Sequence, residues 1–330
     1  DLEVRSGRDV AVVSRAERPV PLEFDYLVDA LPTVVERLVN EGGTPVYIVH
    51  FTQADAVKTA SDLARTVPLT VARKEELKAA LAGQGLDKGF GKKLKELLLK
   101  GVGVHHAGML PRYRRLVERL TQQGLLSVIC GTDTLGVGIN VPIRTVLFTS
   151  LVKFDGRRTR HLSAREFHQI AGRAGRAGFD HEGFVRVLAS EGELEAAKRR
   201  ARMSAAQEEG DAAKQRKLAK RAAKAGSKSG GQKDRKQVTW NRGTFDRLAG
   251  AAPETLVPQF QTSHSMFLNV LRREDAEQCL LDLARDASAA EQGRHPTANP
   301  DSNRFLRQFG DIYRSLLQAG LVKRVDGRIE

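Results

Sequence analysis

Short apolar runs separated by stretches of helical spacing recur along the first 190 residues. Val10–Val13 and Val20–Phe24 are apolar runs split by the charged Ser14–Arg18 stretch. Leu31, Val34, Val35 and Leu38 then recur at helical spacing until Gly42–Gly43 stops the pattern. Val46–His50, Val102–Val104, Leu125–Cys130, Thr145–Ser150 and Phe184–Ala189 read as strands. Between them, helices are predicted near Ala54–Ala64, Lys74–Leu81, Lys88–Lys100, Pro111–Gln122 and Ala164–Ala177. Pro111 suits a first helical position, where an N–H is not needed. Strands that are apolar on both faces and alternate with helices predict an α/β fold, a doubly wound parallel sheet.

The pattern changes at Glu191. Residues 191–237 carry 14 Lys/Arg against 7 Asp/Glu and include the Gly/Ser patch Gly226–Gly231, so they read as a basic helical or flexible linker. Two roles stand for it: a solvated tether, or an arm that follows a nucleic-acid backbone. From Val238 apolar stripes return. Met266, Phe267, Val270 and Leu271 make one helical face; Phe305, Phe309, Ile312, Tyr313, Leu316 and Leu317 make another. Gly320 stops the second, and Leu321–Val325 and Arg328–Glu330 read as a hairpin about Asp326–Gly327. Helices followed by a small hairpin suggest a winged helix. The expected division is therefore a leading segment at 1–44, an α/β lobe at 45–190, a linker at 191–237 and a mainly helical winged-helix domain at 238–330.

Charge narrows the partners. Lys and Arg number 54 and Asp and Glu 40, leaving a net +14. That excess favours an anionic partner, with nucleic acid ahead of acidic lipid. Aromatic residues are 5% of the chain, so strand binding would rely on phosphates more than on base stacking. No apolar run approaches the roughly 20 residues of a spanning helix, and no membrane association is expected. Cys130 and Cys279 are too few for a disulfide scaffold or a cysteine-rich zinc module. No metal site is expected, and the cysteines fit a reducing cytoplasm.

Two segments carry chemistry. In His168–Gly178, a continuous helix would place Gln169, Gly172, Arg173 and Arg176 on one face. Two guanidiniums beside glycines make that face suited to a polyphosphate and unsuited to a packed core. In Cys130–Pro142, directly after a strand, the N–H groups of Gly131 and Thr132 and the Thr132 hydroxyl can hold a phosphate, and Asn140 can bond a sugar hydroxyl. An open parallel sheet gathers ligands outside its carboxyl edge.

Taken in order, Val46–Thr52, the HHAGMLP run at 105–111, the Gly-rich segment and Gln169-x-x-Gly172-Arg173-Ala174-Gly175-Arg176 resemble the second RecA-like lobe of a superfamily 2 helicase. The spelling is closest to the DExH-box RNA helicases of the superkiller type and their bacterial relatives. Pro258–Gln261 and Ser263–Leu271 resemble the start of that family's winged helix. The resemblance implies ATP with Mg2+ as cofactor. It assigns Arg173 and Arg176 to the γ-phosphate, Gln169, Gly138 and Asn140 to the nucleotide side, and Phe51, Thr52, Gly131, Thr132 and His106 to the nucleic-acid strand. No phosphate loop is present, since Gly91-Lys92-Lys93 lacks the spacing and the hydroxyl, and there is no acidic D-E-x-H cluster. The resemblance assigns both, with the magnesium ligands, to a first RecA-like lobe of the same polypeptide, and Asp1–Phe24 resembles that lobe's tail. The expected function is ATP hydrolysis coupled to translocation on, or unwinding of, RNA, with the isolated chain inactive alone. The alternatives are a non-catalytic RNA- or protein-binding module built on a helicase lobe, and a DNA-repair helicase of the same superfamily.

Overall fold

Strands β2 (Val46–His50), β3 (Val102–His105), β4 (Val128–Thr132) and β5 (Thr145–Phe148) are buried at every residue. Both faces of this sheet are therefore covered, which explains why these strands read as unbroken apolar runs. A computed structural model describes residues 7–9, 11, 18–133, 141–208, 238–252, 262–273, 275–294, 304–325 and 328–329. With β1 (Leu22–Leu27) and β8 (Gly183–Leu188), the strands form a six-stranded sheet in the order β1-β8-β5-β2-β4-β3. Every neighbouring pair is parallel. This is the RecA-like α/β arrangement expected from the sequence. After β4 the chain crosses to the other side of β2 to make β5, so the winding reverses there.

Six helices accompany these strands: α1 (Leu31–Asn40), α2 (Gln53–Leu63), α3 (Val71–Leu81), α4 (Phe90–Leu98), α5 (Pro111–Gln122) and α6 (Ala164–Ala171). Thr52 and Ser163 begin α2 and α6 by accepting a hydrogen bond from the N–H three residues on. At α6, Glu166 completes a capping box by accepting from the Ser163 N–H.

The structure departs from the sequence reading in several places. The helix predicted to run to Ala177 ends at Ala171, so Arg173 and Arg176 do not share a helical face. Two bonds of the tighter i to i+3 type, Arg173 N–H to Ile170 and Ala174 N–H to Ala171, close the helix. Gly175 then takes φ 82°, a conformation that glycine adopts without strain. The polar loop after β5 contains an antiparallel hairpin, β6 (Val152–Phe154) with β7 (Thr159–His161). β1, from the expected leading segment, is an edge strand of the sheet.

The chain separates into two compact units, Asp1–Pro253 and Glu254–Glu330. The first also takes in α7 (Glu191–Glu208) and α8 (Arg242–Ala249). Residues 238–252 pack on the sheet: Trp240 donates its indole N–H to the Leu188 carbonyl, and the Phe245 ring lies 5.7 Å from Tyr26. The second unit contains α9 (His264–Leu271), α10 (Ala276–Arg294) and α11 (Arg304–Gln318), then the hairpin β9 (Arg324–Val325) with β10 (Arg328–Ile329). Phe267, Leu280, Ala284, Phe309, Ile312 and Leu316 form its core. Among the described residues, no helix is long and apolar enough to cross a membrane.

Candidate functional site

The carboxyl edge of the sheet gathers the residues expected to meet nucleic acid. Phe51 and Thr52 follow β2, His106 follows β3, and Thr132 ends β4. The Thr52 hydroxyl caps α2 and donates to the Asp55 carboxylate at 2.6 Å. Gly108 closes against this corner, for a Cβ there would come within 2.3 Å of the Gln53 side-chain oxygen. Gly131 lies one residue inside β4, in register with Val49 and His105. A Cβ on it would meet the His105 carbonyl oxygen at 2.6 Å and the Tyr47 ring at 3.0 Å, so glycine here lets β3 and β4 pack. Tyr47 donates its hydroxyl to the Thr132 carbonyl.

Three histidines are buried at this edge. Desolvation pulls His50 down to about 4. His106 is also lowered, by burial and then by its neighbour His105. His105 is lowered by burial despite a 2.9 Å bond from its Nε2 to Glu118 that acts the other way. Neutral rings at this edge add no charge to a phosphate site, so attraction must come from lysines and arginines. Among the described residues, no group of three or more His, Cys, Asp or Glu could hold a metal.

The arginine turn lies at the opposite edge. Ala174 bridges to Ile143, just before β5, and a Cβ at Gly183, the first residue of β8, would meet Gly175 N at 2.5 Å. The turn is thus pinned at the amino ends of β5 and β8, not outside the carboxyl edge where the fold rule placed a ligand. Here Ile143, Gly172, Arg173, Gly175, Arg176 and Phe179 line part of a crevice of about 630 Å³. Gln169 is exposed on α6 and is not part of that lining. Gly138 and Asn140 fall outside the described residues.

The two arginines differ. Arg176 grips Asp180 through Nε at 2.7 Å and a terminal nitrogen at 2.6 Å, and its backbone N–H bonds the same carboxylate at 2.9 Å. The Asp180 side chain is 2% exposed and also lies 3.8 Å from Arg144. Burial alone would raise the Asp180 pKa, but the bonds from Arg176 bring it below its ordinary value. The same pairing raises Arg176. Arg173 is half-buried and has no carboxylate partner among the described residues. Of the two, it is the fork free to meet an anion.

α6 joins the two edges. At about 1.5 Å per residue, its eight residues span about 12 Å. Its first turn is held by Glu166, which accepts two bonds from Arg160 at 2.8 and 2.9 Å and pairs with Lys153 at 2.7 Å. Lys153 also reaches Asp133, directly after β4, at 3.3 Å. Neither this network nor the role of Asp180 was read from the sequence. The i, i+4 spacing of Arg176 and Asp180 was the available signal for the second; for the first there was none before the hairpin was known. Burial would raise the Glu166 carboxyl, but bonds from Arg160, Lys153 and Ser163 take it down to about 2 from an ordinary 4.5. A depressed carboxylate stabilises the fold above its unfolded pKa, and that stabilisation is lost as pH falls from about 4.5 through about 2. The wild-type protein should therefore lose more stability between pH 5 and pH 2 than Glu166→Gln does, measured by urea unfolding across that range. Equal losses would show that the network contributes nothing.

The order of the six parallel strands defines a RecA-like α/β lobe. Residues 78–178 match the family described as "Helicase conserved C-terminal domain", and residues 189–329 match "Domain of unknown function (DUF3516)". The chain is 37% identical over 175 residues to the "Probable helicase HelY" of Mycobacterium tuberculosis, covering 49% of this chain and 19% of that protein. It is 32% identical over 166 residues to the "Exosome RNA helicase MTR4" of Homo sapiens (48% and 16%). Over 95 residues it is 45% identical to the "ATP-dependent RNA helicase mtr4" of Schizosaccharomyces pombe (29% and 8%). These matches support a fragment of a superfamily 2 DExH helicase of the superkiller type. The chain spans less than a fifth of the length of these three relatives.

Proposed function

We propose that this chain supplies the arginine-bearing lobe of an ATP-dependent RNA helicase that couples hydrolysis to movement along, or unwinding of, RNA. The observation that carries this reading is the crevice lined by both Arg173 and Arg176. Two guanidiniums beside glycine backbone fit a polyphosphate in charge and in shape. The reading is supported by relatives named as RNA helicases.

Bound ATP with magnesium supplies the phosphoryl group to be transferred. Arg173, the unpaired fork, meets the phosphates first. Arg176 joins by exchanging the Asp180 carboxylate for phosphate oxygen, and Gly138 and Asn140 belong to the nucleotide side, whereas Gln169 lies outside the crevice lining. The magnesium ligands lie on a first RecA-like lobe of the same polypeptide. At the other edge, Phe51, Thr52, Thr132 and His106 contact the strand, with Gly131 setting the close packing beneath them. α6 carries a change at one edge to the other, because its start is paired to Asp133 through Lys153. Residues 191–237 add positive charge for the RNA backbone, and the helices and hairpin of the second unit, with their own core, form a winged helix. The expected location is the cytoplasm.

The full-length polypeptide that contains this segment should release phosphate from ATP and do so faster with single-stranded RNA. RNA binding should weaken steeply with salt, as expected when lysines and arginines displace counterions. Absence of hydrolysis with and without RNA would overturn the proposal. Stimulation by single-stranded DNA alone would move it to the DNA-repair branch.

A further inference from the structure

The C-terminal end of α6 is held by a residue 154 positions away in the chain. Arg18, four residues before β1, donates from both terminal nitrogens to the Gly172 carbonyl at 3.2 Å. One of those nitrogens also donates to the Ala174 carbonyl, and Nε bonds the Val20 carbonyl at 2.6 Å. The packing beside it is equally close, since a Cβ at Gly175 would meet Val20 Cγ1 at 2.6 Å. Carbonyls at the end of a helix have no donor within it, so each must find one elsewhere or remain in water. A planar fork can satisfy the Gly172 and Ala174 carbonyls together while its Nε holds Val20, whereas an ammonium presents all its donors from one atom. These two carbonyls flank Arg173, whose side chain has no other anchor among the described residues.

We propose that Arg18 is a positioning residue for catalysis: it sets the direction of the Arg173 fork by fixing the backbone on both sides of it. This rests on the proposed role of the crevice as a triphosphate site. The position of Arg18 also ties the arginine turn to the segment that leads into β1, so movement of that segment is felt at the turn. Arg18 touches no phosphate in this arrangement and acts through Arg173 alone.

The test is a double-mutant cycle in the full-length polypeptide, with Arg18→Ala, Arg18→Lys, Arg173→Ala and the double alanine variant. RNA-stimulated kcat and the Kd values for ADP and for ADP–aluminium fluoride are measured for each. Arg18→Ala should lower kcat about 10- to 100-fold and weaken ADP–aluminium fluoride by a similar factor, leaving the ADP and RNA Kd values within about twofold; loss of near-attack geometry has effects of this order. The double variant should be no slower than Arg173→Ala, because a residue acting through another adds nothing once that one is gone. Arg18→Lys should fall between wild type and Arg18→Ala and folds if the alanine variant does not. Amide exchange at residues 172–176 should quicken in both Arg18 variants. Additive losses in the double variant, or unchanged binding of ADP–aluminium fluoride by Arg18→Ala and Arg18→Lys, would overturn the proposal. Wild-type turnover by Arg173→Ala would overturn the underlying triphosphate reading as well, which separates the two failures.

Discussion

Arg173→Ala in the full-length polypeptide should, under the proposed function, reduce kcat for RNA-stimulated ATP hydrolysis by about 10³-fold or more, the range of an arginine finger, with little change in melting temperature. Arg173 has no carboxylate partner among the described residues, so its removal leaves no buried charge behind. Arg176→Ala should behave differently. It would leave Asp180, 2% exposed, without its bidentate partner, and breaking such a pair from one side is destabilising, by less than the roughly 3–5 kcal/mol of a fully buried pair because Arg176 is 27% exposed. Arg144, 3.8 Å away, can offset part of that loss. The expected pattern is therefore catalytic loss alone for Arg173→Ala, and catalytic loss with a lowered unfolding midpoint for Arg176→Ala. Steady-state kinetics and guanidinium unfolding on the same preparations separate the two. Wild-type kcat in Arg173→Ala would remove that residue from the phosphate site.

A methyl group at Gly183 should be almost as damaging, from a position that touches no ligand. Its Cβ would stand 2.5 Å from Gly175 N and 2.7 Å from the Ala174 carbonyl carbon. Both are backbone atoms of the arginine turn and cannot swing aside as a side chain would. Gly183 pairs with Leu22 of β1, so the opposite shift is opposed by the sheet. Overpacking of this kind is destabilising by about 1–3 kcal/mol, and the turn is the element that must give. Gly183→Ala should lower kcat at least tenfold and lower the unfolding midpoint, while RNA affinity at the far edge persists. If kcat stays at the wild-type value while stability falls, the turn and the crevice tolerate displacement and their geometry is not what sets the rate.

The central strands were legible in the sequence because burial on both faces leaves a signal that needs no knowledge of neighbours: Val46–His50 was located to the residue. Pro111–Gln122 was legible for a local reason too, a proline start followed by apolar spacing. α6 was legible at its start, Ala164, but not at its end. Its end is decided by Arg18, by the closeness of Gly183 and by the bridge to Ile143, none of which lies within a helical turn of residue 172. β6 and β7 are three residues each and only partly buried, too short and too polar to show an alternation. α10 was missed although Leu280, Ala284 and Ala287 keep helical spacing, because two of those positions are alanines, which mark a buried face weakly. As for the candidate residues, Arg173 and Arg176 line one crevice, but a turn and not the expected helical face brings them there. The pairing of Arg176 with Asp180 could have been suspected from their separation of four residues, yet the burial that gives it weight depends on the whole sheet.

The edge position of β1 bears on how this lobe can be dissected. All six of its residues run alongside β8, and Arg18 lies just ahead of it. A truncation beginning at residue 45, where the strand-helix alternation invites one, would strip β8 of a neighbour and leave a row of unpaired amides and carbonyls open to another molecule. An excised lobe meant to remain monomeric should start upstream of residue 18.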